Sequence, residues 1–410
     1  MKSIKNFLKM SLIVGAMSMN PILSGCAKEE PLQPEEKQEV VMDVGFFDDA
    51  AVKWIDYAPT NFNPEIKQFP SEEIIRQDLE KLHEKNFRGI VTYGCDGTLW
   101  KIPQIAKEVG FDYVVEGIWD LESGEEWNNA INSSLFVDGY CLGNEGLSRG
   151  DYGLNELKEK MNELRNITEK PVTTTETIGE YNEDLLNVGD WLFPNCHAYW
   201  AGIINPNNAA EWTSQEYDNL SSLTDKIVVL KEVGLPSDGG NGLDEEVQNE
   251  YFRNLEDLMF DHEKISFVYF EAFDQPWKDW APVEPYWGLF NEDRTDKEVS
   301  EPQILHTYVP NIGSYENLQG RVVNVVPEDY KVSTYILVGG AWWMKPYWNN
   351  PLTSISENSN WITDITTGGI DNTATKINSY LVKPDYEPVP HVLPDLEDEK
   401  VINYVSTMRE

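Results

Sequence analysis

Two carboxylates in this chain stand where acid–base chemistry can be done. Glu145 follows Gly143-Asn144 at the end of the apolar run Phe136–Leu142, and Glu232 ends the apolar run Lys226–Leu230. One carboxyl kept protonated and one kept ionised, on either side of a bond, is the pair that breaks a glycosidic linkage. The first protonates the leaving oxygen, and the second attacks the anomeric carbon or activates water. A single glutamate in so acidic a chain is ordinarily a solvated loop group; the pairing and the adjacent Asn144 set these two apart. The other apolar runs end in Tyr57, Tyr93-Gly94-Cys95-Asp96, Glu116-Gly117-Ile118-Trp119, Thr175-Glu176, His197-Ala198-Tyr199-Trp200 and Glu271. Aromatic faces and carboxylates gathered at one rim suit a site that stacks on rings and binds hydroxyls.

Those side chains need a scaffold that brings run ends to one rim. Between Val52 and Phe273 eight apolar runs alternate with helix-like stretches such as SEEIIRQDLEKLHEK and LDEEVQNEYFRNLEDLMFDHE. Ser71 and Asp244, each followed by two glutamates, open two of the helices, where acids meet the positive helix end. Eight strands with intervening helices in some 250 residues predict an α/β fold, a (β/α)8 TIM barrel, whose catalytic groups sit at the C-terminal strand ends. Strands four and seven face each other across such a barrel, so Glu145 and Glu232 can flank a bond. A doubly wound open sheet is the alternative, but no glycine-rich phosphate loop follows the first strand.

Composition narrows the partners. The 410 residues carry 71 Asp and Glu against 32 Lys and Arg, a formal charge of −39, and 12% are aromatic. That aromatic content excludes general disorder, and the charge argues against nucleic acid and anionic membrane surfaces, which need basic patches. Four cysteines and five histidines leave little for a metal cluster or disulfide framework. No metal and no cofactor are expected, since two carboxylates suffice for the chemistry, and the chain is expected to act as a monomer.

The finer motifs resemble glycoside hydrolase family 17, the β-1,3-glucanases of the retaining (β/α)8 clan. Gly143-Asn144-Glu145 looks like the clan's acid/base motif, and Trp54-Ile55-Asp56-Tyr57-Ala58-Pro59 resembles the family's first strand. Ile90-Val91-Thr92-Tyr93-Gly94 with Asp96 resembles its second, and Asn195-Cys196-His197-Ala198-Tyr199-Trp200 its His-Pro-Tyr strand end. Glu232-Val233-Gly234-Leu235-Pro236-Ser237 is similar to its nucleophile motif. Most specific is Phe270-Glu271-Ala272-Phe273-Asp274-Gln275-Pro276-Trp277-Lys278, followed by Glu284-Pro285-Tyr286-Trp287-Gly288-Leu289-Phe290. The resemblance covers about residues 44–292. It implies Glu145 as acid/base and Glu232 as nucleophile, with Asn144 on the sugar 2-hydroxyl and Tyr199 near the nucleophile. Tyr57, Tyr93 and Asp96 would line the non-reducing side, and Glu271 and Lys278 would bind hydroxyls, Lys278 also keeping one carboxylate ionised. His197 is expected to orient by hydrogen bonding, and Trp287 and Phe290 to lie in the core. Cys95, Cys141 and Cys196 are expected as small buried fillers, with a disulfide left open. Two positions depart: Val91 stands where the family usually has Arg, and Leu235 where it has Trp. The resemblance implies hydrolysis of laminarin-type β-1,3-glucan. A transglycosylase using the same glycosyl-enzyme intermediate, and a non-catalytic surface glycan-binding lipoprotein, are the alternatives.

The ends read differently. Residues 1–25, with Lys2, Lys5 and Lys9 before an apolar stretch, are expected to be a signal peptide. Leu23-Ser24-Gly25-Cys26 resembles a bacterial lipobox, which implies lipidation at Cys26 and anchoring to the bacterial outer membrane, with no other membrane contact. Lys28-Glu29-Glu30 resembles the export signal that sends lipoproteins of the Bacteroidota to the cell surface, though a solvated linker reads the same way. The expected order is an acidic tether over 26–43, the barrel over 44–295, a linker over 296–320, a small all-β domain over 321–388 and an acidic peripheral tail over 389–410. Trp342, Trp343, Trp348 and Trp361 in the β domain would suit either sugar stacking or its core; core is the preferred reading.

Overall fold

The computed structural model describes residues 42–410 apart from 51, 260–263 and 265. The signal, the lipobox with Cys26 and nearly all of the tether lie outside the described residues.

Seven parallel strands form one curled sheet: β1 (Lys53–Asp56), β2 (Phe87–Val91), β3 (Tyr113–Ile118), β4 (Gly139–Leu142), β5 (Val172–Thr173), β6 (Leu230–Val233) and β7 (Phe267–Tyr269). Their order is β5-β4-β3-β2-β1-β7-β6. Residues 191–196 close the ring between the two edges, through bridges Leu192–Val228, Thr177–Asn195 and Cys196–Val233. This sixth stave is the run expected as a strand. It stays irregular because Pro194 offers no N–H to the ladder, although its carbonyl accepts from Lys231 N at 2.7 Å.

Helices α1 (Glu72–Glu84), α2 (Ile102–Val109), α3 (Gly124–Ser133), α4 (Gly146–Arg149), α5 (Leu154–Thr168), α6 (Glu183–Leu186), α7 (Pro206–Ser221) and α8 (Glu245–Leu258) surround the sheet. Ser71 and Asp244 cap α1 and α8 as expected, accepting from Ile74 N at 3.3 Å and Val247 N at 2.8 Å. Side chains alternate along each strand. Ile55 of β1 and Tyr57 just beyond it face the helical layer with Ile75 and Leu79 of α1, whereas Trp54 faces inward with Val91, Val115, Trp191 and Phe193. The inward set includes Phe46 and Phe47, which plug the barrel at the N-terminal ends of the strands. Gly89 is dictated by that core, because a Cβ there would stand 2.2 Å from the Trp54 ring.

The C-terminal part is a β sandwich. Strands β8 (Gln303–Tyr308), β9 (Leu318–Val323) and β13 (Asn360–Thr363) make one sheet. Strands β10 (Lys331–Val338), β11 (Ala341–Lys345), β12 (Leu352–Ser354), β14 (Lys376–Val382) and β15 (Val401–Met408) make the other. Two expected boundaries are corrected. The 296–320 stretch is not a linker: Lys297 is buried against Asp274 and Ser237 of the barrel at 2.7 and 2.8 Å, and β8 begins at Gln303. Nor is 389–410 peripheral, because β15 pairs with β14 from Lys376–Met408 to Val382–Val401. Arg321, on β9, reaches back to Asp257 of α8 at 2.7 Å.

Trp361 fills the sandwich core, as preferred, and Trp342 is half-buried. Trp343 and Trp348 are 44% and 79% exposed, so the core reading fails for these two.

Candidate active site

Glu145 sits immediately beyond β4 in a left-handed conformation, φ 56°, which non-glycine residues adopt only under constraint. The constraint is a backbone bond from Glu145 N to the Thr175 carbonyl at 2.8 Å. Its Oε1 accepts from Asn195 Nδ2 at 2.8 Å, and the same amide donates to Asn144 Oδ1 at 3.2 Å. Asn195 is itself fixed by Thr175 Oγ1, which donates to Asn195 Oδ1 at 3.0 Å.

Glu232, on β6, is 6% exposed. Lys231 Nζ donates to its Oε1 at 2.8 Å, and His197 Nε2 stands 3.0 Å from its Oε2. Burial pushes this carboxyl up, but the Lys231 ammonium and His197 outweigh it and hold Glu232 well below the usual carboxylate range. Lys231 also donates to Asn144 Oδ1 at 3.3 Å. The two glutamates are therefore joined by one chain of contacts running Glu145, Asn195, Asn144, Lys231, Glu232.

The other expected residues divide. Tyr93 lies beneath the site, with Lys231 Nζ 4.2 Å from its ring centroid, and burial pushes its phenol well up. Tyr199 packs edge-on against Trp287, whose ring also meets His197 and Phe270. Glu271 is fully buried and takes Lys278 Nζ on Oε1 at 2.5 Å; burial pushes its carboxyl to about 7 against the opposing pull of Lys278. Lys278 thus serves Glu271, and the cation on Glu232 is Lys231.

Asp96 lies on the loop after β2 and is pushed up by burial, with Glu125 and Lys67 as its charged neighbours rather than the two glutamates. Tyr57 is a correction. It is 1% exposed in the helical layer and donates to Asp78 Oδ2 at 2.9 Å, because strand alternation turns it out of the barrel. Glu176 accepts from Leu147 N and Ser148 N at the start of α4, and Glu116 takes Ser133 Oγ at 2.5 Å. Both are structural. Trp287 and Phe290 are buried, as expected, and Cys95, Cys141 and Cys196 are free and buried.

Three residues that carry the site were not singled out from sequence: Lys231, Asn195 and Asp56. A lysine inside an apolar strand run, directly before the glutamate, was the signal for the first. Val91 packs in the apolar inward set, so no cation arises there. Leu235 is likewise fully buried in the core. Around the rim stand three exposed tryptophans: Trp119 after β3, Trp200 after the sixth stave and Trp280 after β7, 49%, 55% and 51% exposed. Among the described residues no group of three or more His, Cys, Asp or Glu is placed to hold a metal.

A buried carboxylate held by a cation, linked through Asn144 and Asn195 to a second carboxylate beyond another strand, is an arrangement that suits glycosyl transfer to water or sugar. Residues 55–288 match the model of the BtgE/BtgC glycoside hydrolase domain. The chain belongs to this family. It is 30% identical over 294 residues to a probable glucan endo-1,3-beta-glucosidase btgC of Aspergillus flavus, covering 58% of this chain and 42% of that one. To a glucan 1,3-beta-glucosidase of Saccharomyces cerevisiae it is 25% identical over 236 residues, covering 47% and 73%. The matches span less than half the length of the Aspergillus relatives. Among solved structures, a glycoside hydrolase family 17 β-1,3-glucanosyltransferase from Rhizomucor miehei superposes with a TM-score of 0.52 at 22% identity, covering 61% of this chain and 96% of that one. An endo-laminarinase from Formosa gives 0.52 at 17%, covering 62% and 86%. These likenesses show a shared barrel fold.

Proposed function

We propose that the chain is a retaining glycoside hydrolase that cleaves β-1,3-glucan of the laminarin type by double displacement. Glu232 attacks the anomeric carbon while Glu145 gives its proton to the departing O3, leaving a glycosyl ester on Glu232. Glu145 then takes a proton from water, which attacks the same carbon and frees Glu232, so the β configuration is restored. The observation that carries this reading is the pairing of Glu232 with Lys231 and His197, which keeps a buried carboxylate ionised and ready as a nucleophile. The names of the fungal relatives supply the linkage. Asn144 binds the sugar 2-hydroxyl, and Tyr199, Trp119, Trp200 and Trp280 offer ring faces along the rim.

Product NMR tests it directly. The β anomer of each new reducing end should appear first, and inversion, or no release from laminarin, would overturn the proposal. Glu232→Gln should abolish turnover; unchanged turnover would leave a glycan-binding protein, and products longer than the substrate would mark a transglycosylase. The lipobox motif supports anchoring at Cys26, on the outer membrane and facing outward. Cys26→Ala should release the protein from membranes and abolish palmitate labelling, and retention of both would refute the anchor.

A further inference from the structure

Lys231 is 1% exposed and inside the barrel, yet its ammonium meets groups from four staves. On β6 it holds Glu232 at 2.8 Å, and beyond β4 it holds Asn144 Oδ1 at 3.3 Å. On β1 it faces Asp56 at 4.0 Å, and beyond β2 it lies over the Tyr93 ring. Asp56 is fully buried, and neither of its carboxylate oxygens has a hydrogen-bond partner. An unpaired buried carboxylate is costly unless a charge faces it. Burial pushes the Asp56 carboxyl well up and the Lys231 ammonium opposes that rise, so Asp56 faces the lysine from below while Glu232 and Asn144 hold it from above.

The contact with Asn144 has a chemical consequence. An ammonium only donates, so the amide atom facing it must be oxygen. Asn195 donates to that same oxygen at 3.2 Å. With Oδ1 occupied twice, the Asn144 NH2 is the end left for a ligand, and it can only donate. We propose that Lys231, facing Asp56, is a positioning residue that fixes the Glu232 carboxylate and locks the Asn144 amide with its NH2 toward the substrate. The enzyme's discrimination of the sugar 2-hydroxyl then depends on a lysine that the sugar does not touch. This rests on the glycosidase reading above. The groups facing Glu232 are Lys231 and His197, with Asp56, Tyr93, Glu271 and Glu284 on the surrounding elements.

The test uses the full chain, an aryl β-laminaritrioside, and its analogue lacking the 2-hydroxyl on the reacting sugar. Lys231→Met should lower kcat by about 100-fold on the parent substrate, the size of effect seen when one aligned donor is lost. Its preference for the 2-hydroxyl should collapse by about 10-fold or more, and the acid limb of its pH profile should move up by at least about one unit, as a lost neighbouring cation requires. Lys231→Arg should restore much of both. The double variant Asp56→Asn/Lys231→Met removes the lysine together with the buried carboxyl that faces it, so neither is left without the other in the barrel interior. It should fold and still show the lost 2-hydroxyl preference. Preserved 2-hydroxyl preference and acid limb in folded Lys231 variants would overturn the proposal. If the parent enzyme turns over no β-glucan, the glycosidase reading fails. Lys231 is then judged by carbon NMR of the Glu232 carboxyl, whose titration must move up in Lys231→Met and would refute the role by staying still.

Discussion

Glu271 offers a measurement of the barrel's interior that needs no substrate. Its carboxyl is fully buried, with Oε1 on Lys278 and Oε2 without a partner, and burial raises it from 4.5 to about 7. Folded, it holds its proton more tightly than it does unfolded. Between those two values the unfolded chain has released the proton and the native one has not, so this group subtracts stability as pH rises. At about 1.36 kcal/mol per unit, the rise amounts to about 3 kcal/mol, lost across the window from about pH 4.5 to 7 and constant above it. Glu271→Gln removes the titration. Its amide oxygen can still accept from Lys278, as the neutral acid does, so the contact is kept at every pH in the window. Denaturant unfolding of both proteins, followed by tryptophan fluorescence at half-unit steps from pH 4 to 8, gives the difference curve (steps chosen at about a fifth of the window). The wild type should fall relative to the variant by about 3 kcal/mol between pH 4.5 and 7. A flat difference, or one that increasingly favours the wild type, would refute the argument. It would mean that Lys278 outweighs burial and keeps Glu271 ionised throughout.

Other residues make shorter tests. Glu145→Ala should slow laminarin hydrolysis by about 1,000-fold, and added azide should restore turnover of an aryl glycoside with a β-glycosyl azide as product; no azide product would remove Glu145 from the acid/base role. Tyr57→Phe should leave kcat and KM unchanged while costing about 1 kcal/mol of stability, because its hydroxyl serves buried Asp78; a raised KM would return Tyr57 to the sugar site. Trp361→Ala should destabilise the sandwich by about 3–5 kcal/mol, seen as an earlier calorimetric transition, and an unchanged transition would mean the core does not depend on it.

The parts of this molecule that were legible in the sequence are those governed by local pattern. Alternating apolar runs and capped helices located the staves, and the run ends named Glu145, marked by Gly143-Asn144, and Glu232, at the close of the run from Lys226. What was lost depends on which way a residue faces. Tyr57 follows inward-facing Asp56 by one position, and with a period of two that is enough to move it from the site to the helical layer. Lys231 carries no local mark of its burial, since a lysine after Val-Val-Leu reads as the end of a buried run; only Glu232 beside it, with Asp56 and Asn144 from two other points in the chain, explains a buried cation. Asn195 was quoted within a motif, but its bond to Glu145 spans 50 positions and has no local signature. The strand β15 was hidden by the acidic stretch before it. An edge strand with one half-exposed face shows weak alternation, and its partner β14 decides it.

The aromatic plug at the base of the barrel bears on the chemistry at the other end. Phe47, Trp54 and Trp191 leave almost no surface open, and their rings interlock at centroid distances of 4.8 Å for Phe47–Trp54 and 5.8 Å for Phe47–Trp191. Nothing can pass along the barrel axis, so whatever reaches the two glutamates must arrive and depart through the rim alone. The plug also keeps water out from below. Asp56, Lys231 and Glu232 are left as an electrically insulated knot, in which the Lys231–Glu232 pair is felt with little screening from underneath and burial pushes the Asp56 carboxyl up.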